Sequence, residues 1–568
     1  MSRPRNVLAV YVEGRQGDEI ARLARKLSGH SGYRPVVGAP AGWLIAVEPC
    51  EAAPAQHSDD PSLLSIEAPG RGTFPREAAA RALREPTTDL ARLEGDLAFC
   101  VFDAGGAVTA VRSCGGLVPL YFHVSASTVC VATRLRDLYW LCPSELELDP
   151  LVHAIWSSAN AVFPDERTFF RDVRILPRGH WLEARPGRAR TARYWEPRPN
   201  ELREPSPALA EQHVSELRRV VLDTLREGLS PVRQNLLTLS GGVDSSSVAV
   251  LARRLKLPLS TLTFVAPQGS PARTRQLSYV QPLLEELEIA SPHLRDADND
   301  SLDRLFAKSL PTLYHCPHPA LRVLPELGAY ASLVSGHFAD EICGYSQRRQ
   351  DWVRHTRLAR LLVPSLPLAY GPRDYLRWAK RRVLGAIGRE LLPLPRPLGE
   401  IFAADVRAEH DAWVETTRQR LLADERPLRE LATWTELDAW VAMHWDVAST
   451  RGVVPVHPFF NRAMLELAFQ CHPSELYGPG HKKILRRALA DWVPARYLQR
   501  PDKGHWHRPR RQDRAAWHGE LSLLAGCVDE AFHGRARDLA PAEHRQLTQL
   551  ALFEAALAKE RAFRASLR

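Results

Sequence analysis

Residues 236–247 read LLTLSGGVDSSS, and residues 248–255 continue as VAVLARRL. The opening letters form a short apolar run suited to a buried strand, which ends at Ser240. Gly241 and Gly242 allow a tight backbone approach, and a helix then begins with its unpaired N–H groups facing the loop. Val248, Leu251 and Leu255 share one face of that helix and would pack it onto a sheet. Phosphate would bind at such a helix start, because free amides and the macrodipole favour anions and small residues let a pyrophosphate lie against them. A plain strand-to-helix turn with Asp244 as the cap is the bland alternative. The pattern SGGxDS after a strand is far more specific than a glycine-rich turn alone.

This stretch resembles the pyrophosphate loop of the ATP pyrophosphatases, which cleave ATP to AMP and pyrophosphate. The resemblance implies nucleotide contacts from Ser240, Gly241, Gly242, Asp244 and Ser245. Asp244 is suited to hold Mg2+ bridging phosphate oxygens, but one carboxylate is seldom enough. A second candidate lies about a hundred residues on, where residues 331–345 read ASLVSGHFADEICGY and a strand again ends in a turn, Ser335-Gly336, before Asp340-Glu341.

The pair of motifs resembles the asparagine synthetase superfamily, whose second motif has the form SGxGADE. Asp340 then matches the second metal-binding aspartate, and backbone contacts to the nucleotide fall on Thr238, Phe264 and Gly336. Two later segments fit the same pattern: residues 456–470, VHPFFNRAMLELAFQ, and residues 480–505, GHKKILRRALADWVPARYLQRPDKGH. The resemblance runs from roughly Ala208 to Lys503. It places Lys482 on a phosphate-contacting lysine and Lys503 on a mobile-loop lysine that stabilises charge as the acyl-adenylate collapses. In one register of RPDKG, Asp502 takes that lysine's place and Lys503 reaches from one residue further.

The first 195 or so residues differ in character. Short apolar runs broken by turn signals, such as NVLAVYV, GWLIAVE and TVCVATRL, predict a layered, β-rich domain, with Gly105-Gly106 as a hairpin turn. Residues 196–207, EPRPNELREPSP, are polar and proline-punctuated and mark a boundary. The expected organisation is a domain over 1–196, a linker over 197–207, and an α/β synthetase domain over 208–568. Within the last, residues 347–396 combine clustered arginines with Trp, Tyr and Leu and read as a basic helical insert extending to about 430.

Residues 93–123, LEGDLAFCVFDAGGAVTAVRSCGGLVPLYFH, resemble the superfamily's glutaminase domain, a class II glutamine amidotransferase. The family's second residue is a cysteine freed to attack glutamine; here it is Ser2. Ser113 stands where the family has the aspartate of ARD, and nothing between Ser62 and Leu83 matches its glutamine-binding segment. A domain of this kind is expected to be inactive, so the amine must come from the substrate.

Two branches of the superfamily share this departure: β-lactam and carbapenam synthetases, which close small rings, and lasso peptide cyclases, which join a peptide's N-terminus to an internal Asp or Glu side chain. In the first branch a tyrosine three residues before the metal aspartate removes the proton, with a glutamate partner. His337 occupies the tyrosine's place, and an imidazole accepts a proton near neutral pH. No glutamate aligns in residues 436–452, ELDAWVAMHWDVASTRG, and Asp446 is the nearest acidic candidate. The excess length of residues 347–396 favours a larger substrate. The resemblance therefore implies a lasso peptide cyclase acting on a linear core peptide with ATP and Mg2+, beside a leader-binding protein and a leader peptidase.

Composition sets the remaining bounds. With 45% hydrophobic and 25% charged residues, wholesale disorder is not expected. Nine cysteines without metal-ligand spacing suit reduced core positions in a cytoplasmic protein, and no structural zinc is expected. No run of about 18 uncharged apolar residues occurs, which argues against a transmembrane segment. The charge of +9 is modest and suits an arginine-rich solvated surface, with an anionic partner as the alternative. A nucleic-acid partner is not expected, because pyrophosphatases that modify nucleic acid usually carry RNA-binding modules or paired catalytic cysteines.

Overall fold

The computed structural model describes residues 6–12, 25, 33–35, 39–40, 43–47, 63–67, 90, 96–158, 165–197, 206–266, 268–269, 271–289, 292–296, 313, 327–343, 397–423, 428–471, 473–476, 482–499, 524, 527–528 and 541–567. Ser2, Lys503 and residues 347–396 lie outside them.

The N-terminal domain is built from two antiparallel sheets. The first has the order β2 (Arg34–Pro35), β3 (Trp43–Val47), β1 (Val7–Val12), β8 (Thr128–Ala132), β7 (Tyr121–Val124), β9 (Val173–Ile175). The second runs β11 (Arg188–Arg193), β10 (His180–Arg185), β6 (Val108–Arg112), β5 (Leu97–Phe102), β4 (Leu63–Glu67). Side chains alternate between faces with period two, so each strand serves two layers. Ala9, Ile45 and Val131 of the first sheet meet Ala98, Cys100, Ala110 and Leu182 of the second in one core. Their neighbours Leu8, Val10, Leu44 and Cys130 point the other way, against helices α1 (Leu135–Leu141) and α2 (Pro150–Ser158). The β5–β6 hairpin turns at Gly105-Gly106 as expected, and Gly106 takes φ +80, which a side chain would oppose.

Helix α3 (Pro207–Gly228) opens the second domain, with Ser206 accepting from the Leu209 N–H as its cap. Five parallel strands follow: β12 (Asn235–Thr238), β13 (Leu259–Val265), β14 (Pro292–Asp296), β15 (Ser332–Ser335) and β16 (Val454–Val456). Their spatial order is β14-β13-β12-β15-β16. The sheet grows outward one way from β12 through β13 and β14, then the other way through β15 and β16. The reversal lies between β12 and β15, and ligands of open α/β sheets bind beyond the strand carboxyl ends at such a reversal. Helix α4 (Val243–Arg254) packs on this sheet through Val248 and Leu251, both fully buried, with Leu255 at the edge of the core.

The remaining helices described at length are α5 (Pro271–Glu286), α6 (Ala339–Cys343), α7 (Ala404–Ala423), α8 (Leu428–Ser449), α9 (Arg462–Gln470), α10 (Lys483–Leu489) and α11 (Pro541–Leu567). Contacts cross the expected division at residue 208. Helix α7 packs on α2, and α11 packs on both α1 and α2 of the N-terminal domain. Phe553 of α11 meets His153 and Phe169, and Leu550 and Leu557 join the core that holds Leu8 and Val10. The described part of the expected insert, residues 397–423, therefore braces the N-terminal domain.

Helix α8 is the wedge between the two halves. Residues 441–449 are all buried. Ala439, Ala442 and Met443 belong to the core shared with α1 and α2, while Val441 and Trp445 belong to the core that runs into the synthetase sheet. The helix is buried on every side here, and the polar residues it carries, Asp438, His444, Asp446 and Ser449, are buried with it. Seven described cysteines, Cys100, Cys114, Cys130, Cys142, Cys343, Cys471 and Cys527, are buried thiols outside any disulfide, as expected of reduced core residues. No helix among the described residues is long and apolar enough to cross a membrane.

Candidate active site

Thr238 of β12 pairs with Ser335 of β15, so the loops that leave these two strands emerge side by side at the sheet reversal. In the first loop Gly241 takes φ +74 and Gly242 becomes the cap position of α4, with no side chain bonded over the helix start. Two serines tie the loop. Ser245 Oγ accepts from the Ser240 N–H at 3.2 Å, and Ser240 Oγ accepts from the Gly242 N–H at 3.3 Å. The two hydroxyls lie 3.1 Å apart. The backbone is held in a turn that exposes the start of α4, the geometry an anion needs.

Gly336 lies against this helix start. A Cβ there would be 2.8 Å from Ser245 N and 2.9 Å from Asp244 Cβ, too close for either to remain in place. Gly336→Ala is therefore expected to displace the phosphate loop. ATP turnover should fall at least tenfold, with a stability loss of about 1–3 kcal/mol, the usual cost of overpacking. Steady-state kinetics beside a denaturant melt would check this; unchanged turnover would mean that the two loops separate freely.

Asp244, on the first turn of α4, and Asp340, on α6, converge on one cation. Lys482 Nζ lies 2.7 Å from Asp340 Oδ1 and is also bonded to Asp244 Oδ2. Lys482 is itself buried and sits at the cap of α10 with φ 60, a left-handed conformation that a lysine rarely adopts. Burial alone would lower its pKa, but the two carboxylates outweigh that and raise it above the usual lysine value. The ammonium is charged throughout the working pH range. Paired hard oxygen donors fit Mg2+, and Asp244 and Asp340 would hold it. Bound there, the ion would neutralise charge on the phosphates.

Arg486 is a group that sequence reasoning left without a role. It lies on the first turn of α10, its N–H donating to the Lys482 carbonyl at 3.0 Å. Burial lowers its pKa and Asp244 opposes that shift, which places a second cation near the first carboxylate. The spacing Lys482–Arg486 within KKILRRAL was the available signal. Thr238, at the end of β12, donates to the Val334 carbonyl at 3.4 Å. Phe264 is a buried residue of β13 whose carbonyl accepts from Gln276 at 2.7 Å.

His337 is exposed beside Gly336, with its ring centroid 4.9 Å from His444 and 6.0 Å from Trp440, nearly parallel to the latter. Behind it runs a buried chain: His444 Nδ1 is 3.3 Å from His457 Nε2, and His457 Nδ1 is 2.8 Å from Ser335 Oγ. Ser335 Oγ also accepts from the His337 N–H at 3.4 Å. Hydrogen bonds thus join Ser335, His457 and His444 in one line. Burial, reinforced by the neighbouring His337, pushes the His457 pKa down to about 3 and keeps that ring neutral.

Asp446 is not part of this group. It is fully buried on α8, where burial raises its pKa to about 7 against the pull of Arg136 and Arg134. Two residues along a helix point in nearly opposite directions, so His444 faces the synthetase loops and Asp446 faces the N-terminal domain. The expected pairing of His337 with Asp446 is corrected to one of His337 with His444 and Trp440.

The family comparisons agree with this geometry. The family described as asparagine synthase matches residues 216–566, and the one described as a glutamine amidotransferase domain matches residues 81–195. The chain belongs to the asparagine synthase family. It is an α/β protein with an N-terminal glutamine amidotransferase-like domain followed by a synthetase domain of the ATP pyrophosphatase type. Among curated proteins it is similar to amidase chyE of Penicillium rubens, 30% identical over 164 residues, which are 28% of this chain and 23% of that protein. The chain thus spans about a quarter of the length of the curated relative it matches. Similar solved structures include a glutamine phosphoribosylpyrophosphate amidotransferase from B. subtilis (8% identity, 52% of this chain and 91% of that one, TM-score 0.24). An NH3-dependent NAD synthetase from Campylobacter jejuni is another (13% identity, 38% and 98%, TM-score 0.19). At such scores the likenesses say nothing of chemistry.

Proposed function

We propose that this member of the family is a lasso peptide cyclase. ATP would activate an Asp or Glu side chain of a linear core peptide as its adenylate, and the peptide's own N-terminal amine would displace AMP to form an isopeptide ring. The observation that carries this reading is the intact Asp244–Lys482–Asp340 centre joined to an amidotransferase-like domain in which buried Ser113 stands in place of the family's aspartate. A domain without that carboxylate is a poor source of ammonia, so the nitrogen would belong to the substrate.

In this mechanism Lys482 and Arg486 bear the charge of the departing phosphates, and exposed His337 takes the proton released by the attacking ammonium. The buried His457–His444 pair holds the surface on which His337 rests. Trp440 offers an apolar face beside it, suited to a peptide side chain. A leader-binding protein and a leader peptidase would supply the core peptide. The match to a fungal protein named as an amidase favours a second reading, a β-lactam or carbapenam-type synthetase or other small-molecule amide synthetase.

Full-length protein incubated with ATP, Mg2+ and a linear core peptide is expected to give product lighter by one water, together with AMP and pyrophosphate. Glutamine supplied alone should release no glutamate. Pyrophosphate release driven by small carboxylates but by no peptide would turn the assignment to the second reading. Glutamate release above background would restore an ammonia route and remove the argument for a substrate amine.

A further inference from the structure

Away from the nucleotide loops, three side chains of different chemistry meet in the core. His213 lies on α3, Cys471 ends α9, and Glu475 lies in the short helix Pro473–Leu476. One donor atom from each lies within 4.8 Å of the other two. All three residues are buried, at 5%, 2% and 5% exposure, so this is no solvated acidic patch. His213 Nδ1 and Glu475 Oε2 are 2.8 Å apart, a hydrogen-bonded pair. A buried ion pair alone is a weak source of stability, since desolvation offsets much of its attraction. A thiol within reach of that pair gives it a different use.

We propose that His213, Cys471 and Glu475 form a binding site for a zinc ion. Imidazole nitrogen, thiolate sulfur and carboxylate oxygen are the three donors zinc takes in proteins, and two ligands of a tetrahedral ion lie roughly 3.3–3.8 Å apart, a spacing this cluster reaches with small adjustments. The mixed soft and borderline donors select against Mg2+, which prefers oxygen alone. Metal entry displaces the thiol proton of Cys471, so affinity rises with pH.

The position has a consequence for the active site. The Pro473–Leu476 helix packs against α10, the helix that Lys482 heads, and α3 packs against both α9 and α10. A bound ion would pin these helices together and fix the segment that delivers Lys482 to Asp244 and Asp340. The site is independent of the peptide substrate proposed above.

Full-length protein stripped with chelator and titrated with Co2+ as an optical probe for zinc is expected to develop a thiolate-to-cobalt charge-transfer band. Added Zn2+ should bleach the band, and excess Mg2+ should not. Cys471→Ser should abolish it. Glu475→Gln should weaken Zn2+ binding by more than the roughly 10–100-fold that outer-shell substitutions cost. No charge-transfer band in the wild type, or the same band in Cys471→Ser, would overturn the proposal. Should Cys471→Ser fail to fold, the wild-type spectrum and the Glu475→Gln affinity still decide it, and an unchanged affinity in Glu475→Gln overturns it.

Discussion

Replacing Lys482 with methionine is expected to lower ATP-dependent pyrophosphate release by roughly 10²- to 10³-fold, the range seen when one preorganised charge-stabilising donor is removed. Methionine keeps most of the length and apolar bulk, so the loss isolates the charge. The effect should be large because the ammonium is buried and contacts both Asp244 and Asp340, where water cannot replace it. Asp340→Asn tests the opposite half of the centre and should fall by a similar factor, with weaker dependence on Mg2+. The backbone offers a control. Lys482 holds a left-handed conformation that costs about 1–3 kcal/mol for a residue with a side chain. Lys482→Gly should therefore relieve strain while losing the charge, giving a folded but inactive protein. Pyrophosphate release within a few-fold of wild type in Lys482→Met would show that the lysine only neutralises two carboxylates and takes no part in turnover.

Asp438→Ala is expected to destabilise the protein by about 3–5 kcal/mol, the cost of leaving buried charge without its partner. Asp438 stands on α8, the wedge helix, and its Oδ1 lies 3.1 Å from Arg112 and 2.9 Å from Arg178, both fully buried in the N-terminal domain. Arg112 also donates to the carbonyls of Leu176 and Gly116, each at 2.7 Å, so it cannot turn away to find water. Burial lowers the Arg178 pKa to about 10 even with Asp438 opposing that shift, and removing the carboxylate would lower it further. A chemical melt should report the loss, and Asp438→Asn should cost less because it retains a hydrogen-bond acceptor. The same helix carries Trp440 and His444 to the candidate site, so KM for the acceptor substrate should rise as stability falls. A melt unchanged within about 0.5 kcal/mol would mean that the two arginines are satisfied without α8.

Such an interface gives an amidotransferase-like domain a structural role. Its two arginines anchor the helix on which His444 stands, and α11 and α7 grip its outer helices. Removing the domain would expose α8, which is buried on every side through residues 441–449.

The amino-acid sequence by itself pointed to the nucleotide loop and the second aspartate through short strand-turn-helix patterns, and to Lys482 through the resemblance of residues 480–505 to the superfamily. Ser240-Gly241-Gly242, Asp244, Asp340 and Lys482 could all be named from short stretches, and the β-rich first half followed from period-two runs and turn signals. What the tertiary structure decided are the pairings between distant elements. The strand order that sets β12 beside β15 gives Gly336 its contact with Asp244, across 92 residues that no periodicity spans. Asp446 was the nearest acidic residue along the chain to the expected base partner, yet helix geometry turns it from His444 by about 200°, toward the N-terminal domain. His444 and His457 carried no signal because a lone histidine in an apolar helix reads as core until a neighbour is placed against it. The meeting of His213 with Cys471 and Glu475 is likewise a product of packing, since it joins helices about 250 residues apart whose sequences hold no ligand spacing.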